Sequence, residues 1–399
     1  MMKKIFSPYY TFLYSLLISR IGDALYTFAI PWISFELTQS ALIMGSLYAV
    51  SVLPIVLFGP IVGVLVDRWD RKNLMLFSDI LRAILISLIP IFHYVDILQV
   101  WHLYVISFCL TVLSLLFDVT VVTSIPNIIN DSKNGKLTKA NASFQLVNQL
   151  ADIMGPILAG ILIAMIGGFN ILWLDVLSFV LTFFAILKLP KLGENIEKNN
   201  IRNILKDMKE GFNWLVKDRL NLSFSLQAMV GNFGYSAMYA VLMYYLLSSL
   251  HLDAKQISLN YALLGVGGLL GSFIVVPLEH VLRRGLIIPI LLLMGTLGFT
   301  FAILSDFWLA PGIAIGIVMT CNVAWNTLVM TIRQESVPKL MLGRVLSFSR
   351  VFTRLAMPLG AMVGVFVADH YYAGGVFIVA AIAKGIEVII SLISPIRKL

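Results

Sequence analysis

The sequence predicts an all-α membrane protein with twelve transmembrane helices in two pseudo-symmetric six-helix bundles. Three observations carry that reading. The 399 residues are 59% hydrophobic and only 13% charged, about half the charge fraction of a soluble domain. The apolar residues come in long runs, such as Ile157–Ile166 and Val376–Ile393, and roughly 20 of them cross a bilayer core as a helix. The charges collect in short segments between these runs.

Lipid offers the backbone no hydrogen-bond partner, so runs of this kind must span as helices. Twelve spans read near 11–37, 41–66, 74–94, 101–126, 143–167, 169–189, 219–249, 258–279, 285–304, 308–332, 345–368 and 372–394. The turn between the fifth and sixth rests on Gly167-Gly168-Phe169-Asn170 alone. The first apolar stretch, Thr11 to Leu37, is too long for a cleavable signal peptide and lacks a small-residue cleavage site. It is expected to remain as a membrane helix.

Basic residues orient the chain. Of the 29 Lys and Arg, Arg20, Arg82, Arg350, Arg354 and Lys384 fall within spans. Lys255 falls in an outside loop, and the remaining 23 lie on one side. That places both termini in the cytoplasm of a bacterial cell, with a multi-pass protein in its inner or plasma membrane. The net charge of +8 is then a topology signal and not a nucleic-acid footprint. Cys109 and Cys321 sit inside apolar helices as small hydrophobes. No Cys/His grouping has metal-ligand spacing. No nucleotide-binding loop or nucleophile–base pair is evident, so neither an enzyme nor a cofactor is expected.

The longest polar stretch, Lys188 to Arg219, lies mid-chain, and Lys206-Asp207-Met208-Lys209-Glu210 is spaced for an amphipathic helix on the membrane surface. It divides the chain into an N-terminal bundle (1–189), a cytoplasmic linker (190–218) and a C-terminal bundle (219–399). The halves resemble each other weakly. The acidic residue and basic pair of Asp67-Arg68-Trp69-Asp70-Arg71-Lys72 and of Glu279-His280-Val281-Leu282-Arg283-Arg284 match at a shift of 212 residues, as do Pro126 and Pro338. Later the shift drifts, with Gly155-Pro156 against Met357-Pro358. A duplicated six-helix unit is expected to hold a small molecule between its halves near the midplane and to work by rocking.

The stretch Gly63-Val64-Leu65-Val66-Asp67-Arg68-Trp69-Asp70-Arg71-Lys72 resembles the signature between helices two and three of the major facilitator superfamily. The similarity covers essentially the whole chain. It is nearest to the branch with bacterial macrolide-efflux-type and enterobactin-exporter-type proteins. Asp70 stands where most of the superfamily has glycine; this branch commonly has aspartate. Ser19-Arg20-Ile21-Gly22-Asp23, Leu37-Thr38-Gln39-Ser40-Ala41, Ala140-Asn141 and Leu174-Asp175-Val176-Leu177-Ser178-Phe179 also resemble that branch. Helix five, Ala151-Asp152-Ile153-Met154-Gly155-Pro156-Ile157-Leu158-Ala159-Gly160, is similar to the drug/proton antiporter motif, with alanine for glycine at positions 151 and 159. The resemblance implies export by antiport. Ordinary close packing through Gly155, Pro156 and Gly160 is the plainer account.

In the family, the aspartate equivalent to Asp67 contacts the start of helix eleven, here near Gly343-Arg344. That implies a conformational switch made of Gly63, Asp67, Arg68, Arg71 and Lys72. A topology anchor is the alternative. Ionisable side chains inside the bilayer cost roughly 2.5 kcal/mol or more at its centre, so they face a cavity or a partner. Asp23, one turn from Arg20 on a helix that lines the cavity in this superfamily, is the first candidate proton carrier. A purely structural Arg20–Asp23 pair is the alternative. Asp152 and Asp118 are further candidates. Asp79 with Arg82, and Lys384 with Glu387 on a peripheral helix, read as structural pairs, and Asp175 as a family position of unclear role.

Arg20, Arg350 and Arg354 are candidate cavity cations. Asn232, Tyr235 and Tyr239 on helix seven and Asn322 and Asn326 on helix ten are candidate polar and aromatic cavity contacts. Lipid-facing or packing roles for the aromatic residues stand beside that. The function implied is a proton-coupled efflux antiporter for a small amphiphilic, macrolide-like compound, with a siderophore or other anionic metabolite as the alternative cargo. Its partners would be that substrate, protons and the bilayer, with the protein a monomer and no nucleic acid bound.

Overall fold

The computed structural model describes residues 8–129, 136–190 and 201–399. The described residues are helical with no strand among them. In chain order the helices are α1 (Pro8–Thr38), α2 (Ala41–Arg68), α3 (Arg71–Tyr94), α4 (Val100–Ile129), α5 (Lys136–Ile166), α6 (Leu172–Leu187) and α7 (Ile201–Lys217). They continue as α8 (Arg219–Tyr244), α9 (Ala254–Val281), α10 (Arg284–Leu304), α11 (Ala310–Ser336), α12 (Lys339–Arg354), α13 (Ala356–His370) and α14 (Gly375–Ile393). A π-helical turn, Tyr245–Ser249, extends α8. The eleventh expected span is divided between α12 and α13, where Leu355 interrupts the helix.

Ten of the described helical spans are long and apolar enough to cross a membrane. The sixth expected span, α6, is apolar but only 16 residues long. The seventh, α8, is long but rich in Ser, Asn, Gln and Gly. Neither shortfall removes a span. Polar residues on a helix that faces other helices are satisfied inside the protein rather than by lipid.

Local chemistry sets the boundaries. Asp70 accepts the Asn73 N–H at 2.9 Å and caps α3. That gives the aspartate in the 67–72 stretch a structural reason, because a side-chain oxygen there satisfies an orphan helix N–H. Gly167 closes α5 with φ of 84°, the left-handed conformation glycine adopts at a helix end. Asn170 then donates to the freed Ile166 carbonyl at 2.7 Å. Asp253 and Gln256 form a capping box at the start of α9.

Two compact units emerge, one of residues 1–37 and 50–201, the other of 38–49 and 202–399. In the first, α3 packs on α4 and α6, around a core that includes Phe12, Leu16, Met75, Phe117 and Ile186. In the second, α10 packs on α11 and α14, and α8 on α13 and α14, around Phe224, Leu291, Trp325 and Leu328. The pairing of third with fourth and sixth helix in the first unit recurs as ninth with tenth and twelfth in the second. This is the pseudo-symmetry expected of a duplicated unit.

The linker helix α7 does not simply lie on a surface. Leu215 is 1% exposed and clusters with Val337 and Val345. Phe212 meets Phe348 with ring centroids 5.2 Å apart, and Glu210 pairs with Arg344. Part of its described apolar face therefore packs on α12 and the residue Val337 just before it, while Phe212 and Val216 remain exposed. The side chains of Lys206, Asp207 and Met208 lie outside the described residues.

Candidate functional site

The first unit holds a line of ionic contacts in its interior. On α1, Arg20 reaches Asp23, one turn later, at 3.5 Å, and also bonds Asp118 on α4. On α3, Arg82 bonds Asp79, one turn earlier, and its guanidinium stands 3.6 Å from Asp23. The order is Asp118, Arg20, Asp23, Arg82, Asp79. Arg82 and Asp79 are both 0% exposed. The Arg82 guanidinium lies over the rings of Phe117 on α4 and Phe179 on α6, at 4.2 and 4.3 Å. Those negative ring faces partly replace the hydration that the cation has lost.

A sixth group lies beside this line. Asp175 on α6 is fully buried. The Ser178 hydroxyl donates to its Oδ1 at 3.1 Å, and its Oδ2 has no hydrogen-bond partner among the described residues. Gly22 on α1 makes room for it: a Cβ there would fall 3.0 Å from the Ser178 Cβ and closer still to the Asp175 carboxyl. Sequence reading left Asp175 without a role. The signal was present, since a carboxyl in an apolar helix needs a partner or a proton, but no cation sits one turn away on its own helix.

Other expected residues fall elsewhere. Asp152, on α5, is exposed and makes no direct pair among the described residues, but it lies near enough to Arg20 to interact with it electrostatically. Gly155 lies against Ala24 of α1, where a Cβ would overlap the alanine. Pro156 sits inside α5, and Gly160 is buried. The side chains at Gly63, Asp67, Arg68, Ala140, Asn141 and Gly343 lie outside the described residues. Arg71 donates to the Thr123 carbonyl at 3.0 Å. Lys72 donates to the carbonyls of Leu187 and Leu189 at 2.8 and 2.6 Å. These two basic residues hold the start of α3 to the ends of α4 and α6, and Lys72 satisfies carbonyls that a helix end leaves free.

The second unit contains a cavity of about 570 Å³. Asn232, Tyr235, Asn322, Asn326, Arg350 and Arg354, all expected cavity residues, line it together. Tyr239 stacks on Tyr235 at 5.5 Å behind that wall. Arg20 belongs to the ionic line of the first unit. Three charged residues also line the cavity that the sequence reading had placed elsewhere. Arg333 lies one residue past the expected tenth span, and Lys384 and Glu387 were assigned to a peripheral helix.

The Lys384–Glu387 pair does form, at 2.9 Å, but it points inward. Lys384 also donates to Asn322 at 2.8 Å, and the Glu387 carboxylate lies against Gly231 of α8. The spacing of Asn322, Asn326, Met330 and Arg333 at intervals of three and four residues puts all four on one helix face. That periodicity was the available signal for Arg333. Glu387 stands 212 positions after Asp175, so each unit buries a carboxyl from its last membrane helix against a glycine of its first.

The model of the Major Facilitator Superfamily matches residues 12–361. Macrolide efflux protein A of Streptococcus pyogenes is 26% identical over 403 residues, covering 98% of this chain and 97% of its own. Multidrug efflux pump Tap of Mycolicibacterium fortuitum is 22% identical, covering 91% of this chain and 89% of its own. Among solved structures, a bacterial homologue of the iron transporter ferroportin in an inward-facing state shares the fold with a TM-score of 0.75 and 16% identity, covering 96% of this chain and 98% of that one. Spans, paired bundles and this family match lead to one conclusion: the chain belongs to the Major Facilitator Superfamily and is a multi-pass membrane transporter, not an enzyme.

Proposed function

We propose that this transporter is a proton-coupled antiporter of a bacterial inner or plasma membrane that exports a small amphiphilic compound by alternating access, with both termini in the cytoplasm. The observation that carries this is the surplus of carboxyls in the first unit. Buried Asp79 and Asp175 and the partly exposed Asp23 and Asp118 stand together with two guanidinium groups, Arg20 and Arg82. Uncompensated charge is expensive at membrane depth. The charge of such a cluster is set by how many of its carboxyls carry a proton, and strongly interacting sites take up and release protons as a group. Asp23 is the pivot, because among the described residues it alone pairs with both arginines.

The efflux direction is supported by the relatives, which are named for macrolide and multidrug efflux. The amphiphilic cargo is supported by the cavity wall, where Tyr235, Trp325, Met319 and Met330 stand beside asparagines and charged groups. Such walls hold apolar bodies while a few polar groups orient them.

The test is efflux from proteoliposomes loaded with an amphiphilic substrate found in a toxicant screen, with and without an imposed pH difference. Acid outside should accelerate efflux, and an uncoupler should remove the acceleration. Efflux that ignores the pH difference overturns antiport in favour of passive facilitation.

A further inference from the structure

We infer that the cavity of the second unit is a recognition site for an anionic group, and that the cargo is therefore an amphiphilic organic anion. This rests on the efflux reading and narrows its substrate class. Four cations, Arg333, Arg350, Arg354 and Lys384, line the cavity against a single carboxylate, Glu387.

The four differ in how they are held. Lys384 is 5% exposed and already engaged by Glu387 and Asn322, so its charge is balanced. Arg333 is anchored through one nitrogen, which donates to Ser225 at 2.9 Å, while its buried Nε has no hydrogen-bond partner among the described residues. Arg350 and Arg354 follow one another by four residues on α12 and turn to the same wall. No ion pair among the described residues engages Arg333, Arg350 or Arg354.

Like charges four apart on a helix repel, and Arg350 and Arg354 are both exposed, so a ligand can reach them. Three positive charges without a fixed counter-ion, converging on one cavity, form an arrangement that a bound anion stabilises. Two of them on adjacent turns suit a carboxylate or sulfonate, whose oxygens guanidinium groups bind through paired N–H donors. The aromatic and Met residues of the same cavity suit an apolar body. A volume of about 570 Å³ lies within the range of small-molecule sites.

The probes are radiolabelled cholate, dansyl-taurine and decanesulfonate, each compared with a neutral analogue of equal size (for cholate, its methyl ester). Binding is measured on the full chain in nanodiscs without a proton gradient. At least one anion should bind roughly tenfold or more tightly than its neutral analogue, with an affinity that falls as salt rises. Arg350→Gln and Arg354→Gln should each weaken the anion by about the same factor and leave the neutral analogue unchanged. The conservative Arg354→Lys should restore part of the loss.

Binding of none of the anions, equal binding of anion and neutral analogue, or indifference to both substitutions overturns the proposal. These outcomes leave proton-coupled efflux standing. Conversely, charge-selective binding by a protein whose efflux ignores a pH difference overturns the coupling and leaves the anion site standing.

Discussion

Asp23 on α1 and Arg82 on α3 stand 3.6 Å apart, and this contact joins two ion pairs into one line. Without it, Arg20–Asp23 and Asp79–Arg82 would be independent one-turn pairs of modest worth. With it, a change of charge at Asp23 is felt by arginines on two helices. In the proposed antiport, a proton on Asp23 would therefore change how α1 and α3 are held together.

Asp23→Asn should abolish the acceleration of efflux by an outward-acid pH difference and slow active efflux by roughly tenfold or more, a barrier of at least about 1.4 kcal/mol. Substrate binding in the absence of a gradient should persist, because the cavity residues of the second unit are untouched. The measurement is a proteoliposome efflux assay paired with equilibrium binding. A variant that still responds to pH as the parent does would remove Asp23 from the coupling role.

Arg82→Ala should destabilise the first unit severely. Removing one partner of a buried ion pair leaves a carboxylate uncompensated and costs about 3–5 kcal/mol. The Phe117 and Phe179 rings would also face an empty space. The combined Arg82→Met, Asp79→Asn variant should recover most of that loss, since neutral groups of similar volume need no counter-ion, while Arg20 still balances Asp23. Thermal unfolding in detergent, read by cysteine accessibility at Cys109 and Cys321, reports both. A double variant no more stable than the single one would contradict the pairing.

The fold was legible because lipid admits few architectures. Run length, glycine turns and the placement of lysines and arginines gave the helices and their order. The halves of the Arg20–Asp23 and Asp79–Arg82 pairs were visible as spacings of three. Their union was not, because which faces of α1 and α3 meet depends on packing that no single-helix periodicity encodes. Arg333 was missed for a related reason: a boundary drawn one residue short moved it from a helix face to a loop. Lys384 and Glu387 were legible as an i,i+3 structural pair on a peripheral helix, but such a pair satisfies itself anywhere, and only Gly231 and Asn322 on neighbouring helices reveal which way it turns.

Asp70→Ala should cost about 1 kcal/mol through loss of the helix cap, with transport per folded molecule unchanged. Lys72→Met should act differently. It strips the carbonyls of Leu187 and Leu189 of their donor and removes a positive charge from the first turn of α3, so it weakens both the α3–α6 contact and the topology signal. Expression level and accessibility of a tag in the 190–218 segment separate the two effects. A shared phenotype would show that the two residues serve one purpose.

Glycines offer the sharpest contrast in the first unit. At Gly59 an added Cβ meets nothing within 4 Å, whereas at Gly155 it overlaps Ala24, and at Gly22 it meets Asp175 and Ser178. Alanine in an open helical position gains roughly 0.5–1 kcal/mol from reduced backbone entropy. Where it overpacks a close helix contact the loss is about 1–3 kcal/mol. Gly59→Ala should therefore be neutral or stabilising, and Gly155→Ala destabilising by pushing α5 from α1. Gly22→Ala should be the worst of the three, because the atom it meets is a carboxyl oxygen with one known donor, Ser178. If the displaced Asp175 only fills space, conserving its volume with Asp175→Asn in the Gly22→Ala background should change nothing further. If Asp175 takes part in proton exchange, that second change should also flatten the pH dependence of efflux, an effect that loosened packing alone does not produce.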